Sequence, residues 1–399
     1  MNRYLSIDTL RGLIMVIMAI DHALGAWAVG KDYFPEIALP ASEVRQFPPS
    51  WKQYTDYKGP GTEFSRLATH VCAPGFQLLA GLGLAISVAR SRRQGMSELK
   101  ITGDMVLRGV VLILCDWFIM TYAYGGLPWV WLVLCCIGSA TIMFSVLRFW
   151  PLPLIGVFSA AVLVLQPLYC PEAIDVTSAA NYVHDIWGRI AFGGPNPTYF
   201  VVLYPIFPWI GLFGLGWVLG TIYESRPADH FKWLIPLGLG LMLLGLSLRW
   251  FTGTYGDRMP GGEEGPLSLA FWVWSKYPPS PVFTITTLGW LLLMLGLFRP
   301  LDFQENPSPN WQYLAVLGRV ALFFYVVHFY FYGVTWFAYA KLHQHYWFDP
   351  NIPKPWHVQG KVSLGWAYVV WVMGLLVVWP LCRWYDKLRQ KHKRVLRYF

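Results

Sequence analysis

Asp21, His22, His70, Asp116 and His328 each interrupt an otherwise apolar, membrane-length run of the chain. A charge or an imidazole in hydrocarbon is costly, so residues placed this way mark ion paths, proton relays or catalytic groups. Histidine exchanges a proton near neutral pH, and a neighbouring carboxylate can orient it and stabilise the imidazolium. The set therefore suits general acid–base chemistry. Arg11, Arg108 and Arg319 form a second set in the same runs, with Arg90 just past the end of one. The planar guanidinium fork matches phosphate oxygens, which suits a phosphate-rich ligand.

The elements that must position these groups are helices in a membrane. Of 399 residues 55% are hydrophobic and 13% charged, against about 25% charged in soluble domains. The mean hydropathy is +0.42. A spanning helix needs about 20 mainly apolar residues. Such runs occur near 7–29, 67–89, 104–124, 128–147, 151–168, 200–222, 232–251, 281–299, 313–340 and 363–384. The expectation is an all-α integral membrane protein with about ten transmembrane helices, residues 1–399 forming one multi-helical membrane domain. Arg90, Arg92 and Arg93, the stretch Arg226 to Lys232 and the basic tail fall on one side. The positive-inside rule then gives N-in/C-in and puts the long loops 30–66, 169–199, 252–280 and 341–362 outside. Ala26-Trp27-Ala28 resembles a signal cleavage site, but Asp21 and His22 interrupt the run just before it, which favours an uncleaved first helix.

The net charge of +9 is clustered rather than spread as a nucleic-acid-binding face, so no nucleic acid is expected; an anionic leaflet suits it. The cysteines show no ligand or disulfide spacing: Cys72, Cys115, Cys135, Cys136 and Cys382 lie in apolar runs and Cys170 beside one. No metal is expected; His343-x-His345 with His357 is a weak exception lacking acidic support. Gly81/Gly83, Gly216-x3-Gly220 and Gly240-x4-Gly245 read as small-residue helix contacts, which also permit a homodimer.

At 1.5 Å per residue the ionisable groups sort by depth. Arg11, Arg90, Arg108 and Arg319 fall in an inner layer; Asp21, His22, His70, Asp116 and His328 fall in an outer one. Each also has a structural reading. Arg11, Arg90 and Arg108 lie near enough to helix ends to snorkel. His70 suits an interface, and Asp116 suits a structural ion pair. Asp21 and His22, as i, i+1 neighbours, point about 100° apart and need not pair with each other. The glycine-rich segment 252–266, with Asp257, Glu263 and Glu264, suits either a contact to a polar acceptor or a solvated loop.

Ser6-Ile7-Asp8-Thr9-Leu10-Arg11-Gly12 followed by Asp21-His22 resembles the opening of the heparan-alpha-glucosaminide N-acetyltransferase-like family, within the transmembrane acyltransferase superfamily. Arg11-x10-His22 also resembles the first helix of bacterial O-acyltransferases that modify surface glycans. Thr69-His70-Val71-Cys72-Ala73-Pro74 with Ala80-Gly81, Tyr277-Pro278-Pro279-Ser280, and Gly318-Arg319 through His328 extend the resemblance. It implies an acyltransferase that takes an acetyl or acyl group from a cytoplasmic CoA thioester and delivers it to a sugar or glycan acceptor on the far side. Eukaryotic lysosomal members carry a luminal histidine after the first helix, and this chain has no clear counterpart. A covalent acyl-histidine and a glucosamine acceptor are therefore not carried over.

The resulting expectation is a multi-pass enzyme of the bacterial cytoplasmic (inner) membrane, using acetyl-CoA or acyl-CoA as donor. His22 would be the general base and Asp21 or Asp116 its orienting carboxylate. His328 or His70 would position the acceptor or polarise the carbonyl, and Arg11, Arg90, Arg108 and Arg319 would hold donor phosphates. The rival reading is a proton-coupled transporter or flippase that uses the His/Asp layer as a relay.

Overall fold

The computed structural model describes residues 4–29, 60–123, 130–169, 190, 201–225, 231–251, 255–257, 262–276, 279–342 and 362–392. Its main helices are α1 (Leu5–Leu24), α2 (Pro60–Thr69), α3 (Cys72–Arg93), α4 (Glu98–Cys115), α5 (Val133–Leu147) and α6 (Leu152–Val164). They are followed by α7 (Ile206–Ser225), α8 (Leu234–Phe251), α9 (Pro281–Phe298), α10 (Pro309–Arg319), α11 (Ala321–Leu342) and α12 (Leu364–Lys391). Among the described residues the only sheet is a two-residue parallel pairing of Val130–Trp131 with Val201–Val202.

Every one of the ten apolar runs contains helix, but the runs are not ten uniform spans. Among the described residues seven helical segments are long and apolar enough to cross a membrane: Leu5–Trp27, Phe64–Arg93, Ile206–Ser225, Leu234–Phe251, Pro281–Phe303, Ala321–Leu342 and Leu364–Lys391. Runs 128–147 and 151–168 yield helices of only 15 and 13 residues, or about 22 and 20 Å at the usual rise. Run 104–124 becomes α4 continued by a π-turn, Asp116–Met120. Run 313–340 is two helices, because Val320 leaves helical geometry at φ −118°, ψ 39°. Run 67–89 is likewise divided, at His70–Val71 between α2 and α3. Pro74 then sits in the first turn of α3, where its missing N–H costs no helical bond.

Several helix starts are written locally. Ser97, Ser280 and Ser363 cap α4, α9 and α12 by accepting the backbone N–H three residues on. Helix α1 has no such side chain at Tyr4. Its cap arrives from 296 residues away: Asp302 Oδ1 accepts the Ser6 N–H at 2.8 Å and Oδ2 accepts the Ser6 hydroxyl at 2.6 Å. Arg299 pairs with the same carboxylate and lies over the Tyr223 ring at 4.0 Å.

Helix α1 occupies the middle, packing on α3, α9, α10, α11 and α12. Its crossing with α10 is backbone on backbone. A Cβ added at Gly12 would lie 1.9 Å from the Leu314 carbonyl oxygen, and one at Gly318 would lie 1.9 Å from that of Asp8. A second such crossing joins α3 and α7, where Gly81 meets the Phe213 carbonyl and Gly216 that of Leu78. Gly245 also packs, against Thr286, whereas Gly240 faces open space and is no contact residue. Large apolar side chains stand exposed along α6, α8 and α12, among them Val157, Leu243, Trp366 and Leu376 at 64–66%. Hydrocarbon is the solvent that tolerates such faces.

Gly318→Ala should force α10 off α1 and lower the unfolding temperature measured in detergent by several degrees, because overpacking of this kind costs about 1–3 kcal/mol. Gly240→Ala should not lower it. Equal melting of the two variants would contradict the crossing.

Candidate active site

The four arginines of the inner layer line one cavity of about 550 Å³, and Arg389 of α12 joins them. Among the described residues the only acidic one in that lining is Asp8, against five arginines. Arg11 bridges the crossing, donating to the Gly318 carbonyl at 3.3 Å and the Leu79 carbonyl at 3.2 Å, with Asp8 at 3.6 Å. Arg319 spends its Nε on Asp386 at 2.8 Å, and the same carboxylate holds Arg389 at 3.6 Å. Arg90 pairs with Glu224 at 3.4 Å. Arg108 is different. It is exposed, it feels the charges of Arg11 and Arg389, and among the described residues it has no hydrogen-bonding or ion-pairing partner. Cations gathered at this density, with fewer carboxylates beside them than guanidinium groups, favour a polyanionic ligand.

Above the cavity, His22 and His328 meet. His22 Nδ1 lies 2.7 Å from His328 Nε2, the rings stacking with centroids 5.0 Å apart. The tautomers follow from the third member of the chain. His328 Nδ1 lies 2.7 Å from the Phe324 carbonyl oxygen, which can only accept, so this nitrogen carries the proton. Neutral His328 then presents a lone pair at Nε2, and His22 Nδ1–H donates to it. The remaining nitrogen of neutral His22, Nε2, is the one left able to accept a proton. His328 is buried, while His22 is partly exposed.

The carboxylates do not perform the orientation expected of them. Asp21 turns to α2, where it is paired with buried Arg66 and accepts the Thr69 hydroxyl at 3.0 Å. Asp116 is buried at the π-turn that ends α4 and accepts the Cys135 N–H of α5 at 2.8 Å. That is a carboxylate on a helix N-terminus, a structural role. His70 sits in the α2–α3 break between Trp274 and Phe283, with ring centroids 5.5 and 5.3 Å away. The imidazole of His22 is thus oriented by His328 rather than by Asp21 or Asp116.

Arg66, Lys276, Asp386 and Arg389 carry no site signal in the sequence, and Thr69 enters there only within the Thr69-to-Pro74 motif. Arg66 lay at the edge of an apparent loop, although its i, i+3 spacing to Thr69 puts both on one helical face. Buried Lys276 is close enough for its charge to act on Asp21, His22 and His70. It stands one residue before the Tyr277–Ser280 segment. Asp257 accepts the Ser275 N–H at 2.9 Å and the Ser280 hydroxyl, and so is committed within the protein. His343, His345 and His357 lie outside the described residues.

The family model described as heparan-alpha-glucosaminide N-acetyltransferase, catalytic, matches residues 51–247, and it is the family that the sequence resembles. No curated protein matches the chain. The match takes in α2 through α7 and most of α8, with Arg66, His70, Arg90, Arg108 and Asp116. Helix α1 and the α10–α11 pair, which supply His22 and His328, lie outside it. The match and the apolar helices support a membrane enzyme of the acetyltransferase type.

Asp21→Ala should destabilise the protein by about 3–5 kcal/mol, because it removes the carboxylate from buried Arg66. Asp21→Ala combined with Arg66→Met should recover part of that loss in thermal unfolding, and no recovery would contradict the pairing.

Proposed function

We propose that the protein transfers an acetyl or other acyl group from a CoA thioester, bound with its phosphates in the arginine cavity, to a hydroxyl or amine of a sugar-type acceptor. The observation that carries this reading is the stacking of the two polar sets along one helix. Arg11 and His22 are eleven residues apart on α1, about 16 Å along its axis. A donor with phosphates at one end and a reactive carbonyl at the other end of an extended arm has this shape. Arg11, Arg108, Arg319 and Arg389 are the groups to hold the phosphates, with Arg108 offering an uncommitted fork.

In the proposed reaction His22 Nε2 takes the proton of the acceptor nucleophile as that atom attacks the thioester carbonyl. The C–S bond breaks, CoA leaves as the thiolate, and the proton held on His22 restores the thiol. His328 keeps His22 in the productive tautomer through the hydrogen bond anchored on the Phe324 carbonyl, the part a carboxylate plays in a serine-hydrolase triad. Direct transfer needs no acyl-enzyme.

The clustering of basic residues at the arginine end supports an N-in/C-in arrangement in a bacterial inner membrane, the donor entering from the cytoplasm and the acceptor from the other side.

Calorimetric titration of acetyl-CoA into the detergent-purified protein should give saturable binding, weakened at least tenfold by Arg108→Ala or Arg319→Ala. Absence of acyl-CoA binding by folded wild-type protein would overturn the donor reading. His22→Ala should lower acyl transfer by a factor of about 10² or more, the scale of general base catalysis, and leave CoA affinity within threefold. Full activity in that variant would remove His22 from the chemistry.

A further inference from the structure

The cavity-lining face of α1 carries Asp8, Arg11 and Met15; the same three-to-four residue spacing continues to Met18 and His22. On α11 the lining face carries Ala321, Leu322 and Tyr325, and it continues to His328 and Phe329. The arginine cavity and the imidazole pair therefore lie on one unbroken stripe of each helix. Tyr325 stands at the join. It lines the cavity, is 5% exposed, and its ring centroid lies 6.5 Å from His22 and 6.0 Å from His328.

Beyond that ring the two histidines are packed among aromatic side chains. Phe329 packs 4.7 Å from His22, Phe324 stacks 4.8 Å from His328, and Tyr332 meets His328 edge-on at 6.1 Å. Phe324, Phe329 and Tyr332 are all buried. Met15, two turns below His22 and about 10 Å along α1, lines the same cavity and is buried. A carbonyl delivered from the cavity to His22 must pass Tyr325 and Met15, and its acyl tail has to fit among these rings.

We infer that Tyr325 sets the size of the acyl group, admitting a short one to the His22–His328 pair and excluding longer chains. This rests on the donor reading of the cavity. Interiors this closely packed have no room for added methylenes, each of which costs about 10–200-fold in discrimination. The residue acts as a sieve on the donor and takes no part in proton transfer.

The test is calorimetric binding of CoA, acetyl-CoA and hexanoyl-CoA to wild type, Tyr325→Phe, Tyr325→Leu and Tyr325→Ala in detergent. The wild type and Tyr325→Phe should bind CoA and acetyl-CoA comparably and hexanoyl-CoA at least about tenfold more weakly. Tyr325→Ala, and to a lesser extent Tyr325→Leu, should bring hexanoyl-CoA to within about threefold of acetyl-CoA, each ratio being taken within the same variant. Equal binding of acetyl- and hexanoyl-CoA by the wild type overturns the sieve and leaves the donor reading standing. So does unchanged discrimination in either smaller variant that still binds CoA. Failure of CoA itself to bind the folded wild type sinks the donor reading, a distinct result.

Discussion

The contact on which the rest of the structure depends is the backbone crossing of α1 and α10 at Gly12 and Gly318. Each glycine sits where a methyl group would meet the other helix's carbonyl oxygen at 1.9 Å, so no larger residue fits without parting the helices. The neighbours of these glycines in sequence are Arg11 and Arg319. Bringing the glycines together therefore puts two guanidinium groups at one level. Arg11 reinforces the arrangement by bonding the Gly318 carbonyl itself. From that fixed point α1 runs on to His22 while the chain turns at Val320 and α11 runs on to His328. Two histidines separated by 306 residues are thereby brought within 2.7 Å.

Electrostatics divides the molecule along the same axis. Where the lower arginines have counter-ions, these stand behind them, at Asp386 and Glu224, so the guanidinium groups are positioned while their excess charge still faces the cavity. Around the imidazoles the order is reversed. Asp21 is committed to Arg66 and Thr69, and the imidazole pair is held by a backbone carbonyl. A neutral orienting partner fits an apolar site better than a carboxylate, which would need its own compensation in that environment. Asp116 is likewise turned away from the imidazoles, one of its oxygens accepting the Cys135 N–H at the N-terminus of α5.

Much of this was legible in the sequence, for identifiable reasons. Arg11, Arg108 and Arg319, four to six residues inside apolar runs, and Arg90, just past the end of one, have a depth that arithmetic recovers, and all four reach one cavity. Helices show themselves through apolar length, so each of the ten runs contains one. Azimuth is another matter. Depth placed His22, Asp21, His70, Asp116 and His328 in one layer, but which of them touch depends on helix rotation and on breaks that periodicity does not reveal. Val320 is β-branched and apolar, and nothing about it signals a helix end. Arg389 was hidden by its basic neighbours, Lys387 and Lys391, and Arg66 by the loop before it. Asp302 caps a helix 296 residues away, a relation with no local signature.

The most direct test of the account is a cryo-electron microscopy map of the protein with CoA bound. Phosphate density against Arg11, Arg108 and Arg319, with the thiol end beside His22 and Tyr325, is the predicted result. CoA bound elsewhere on the protein, or running through the cavity with its thiol turned away from the histidine pair, would contradict it.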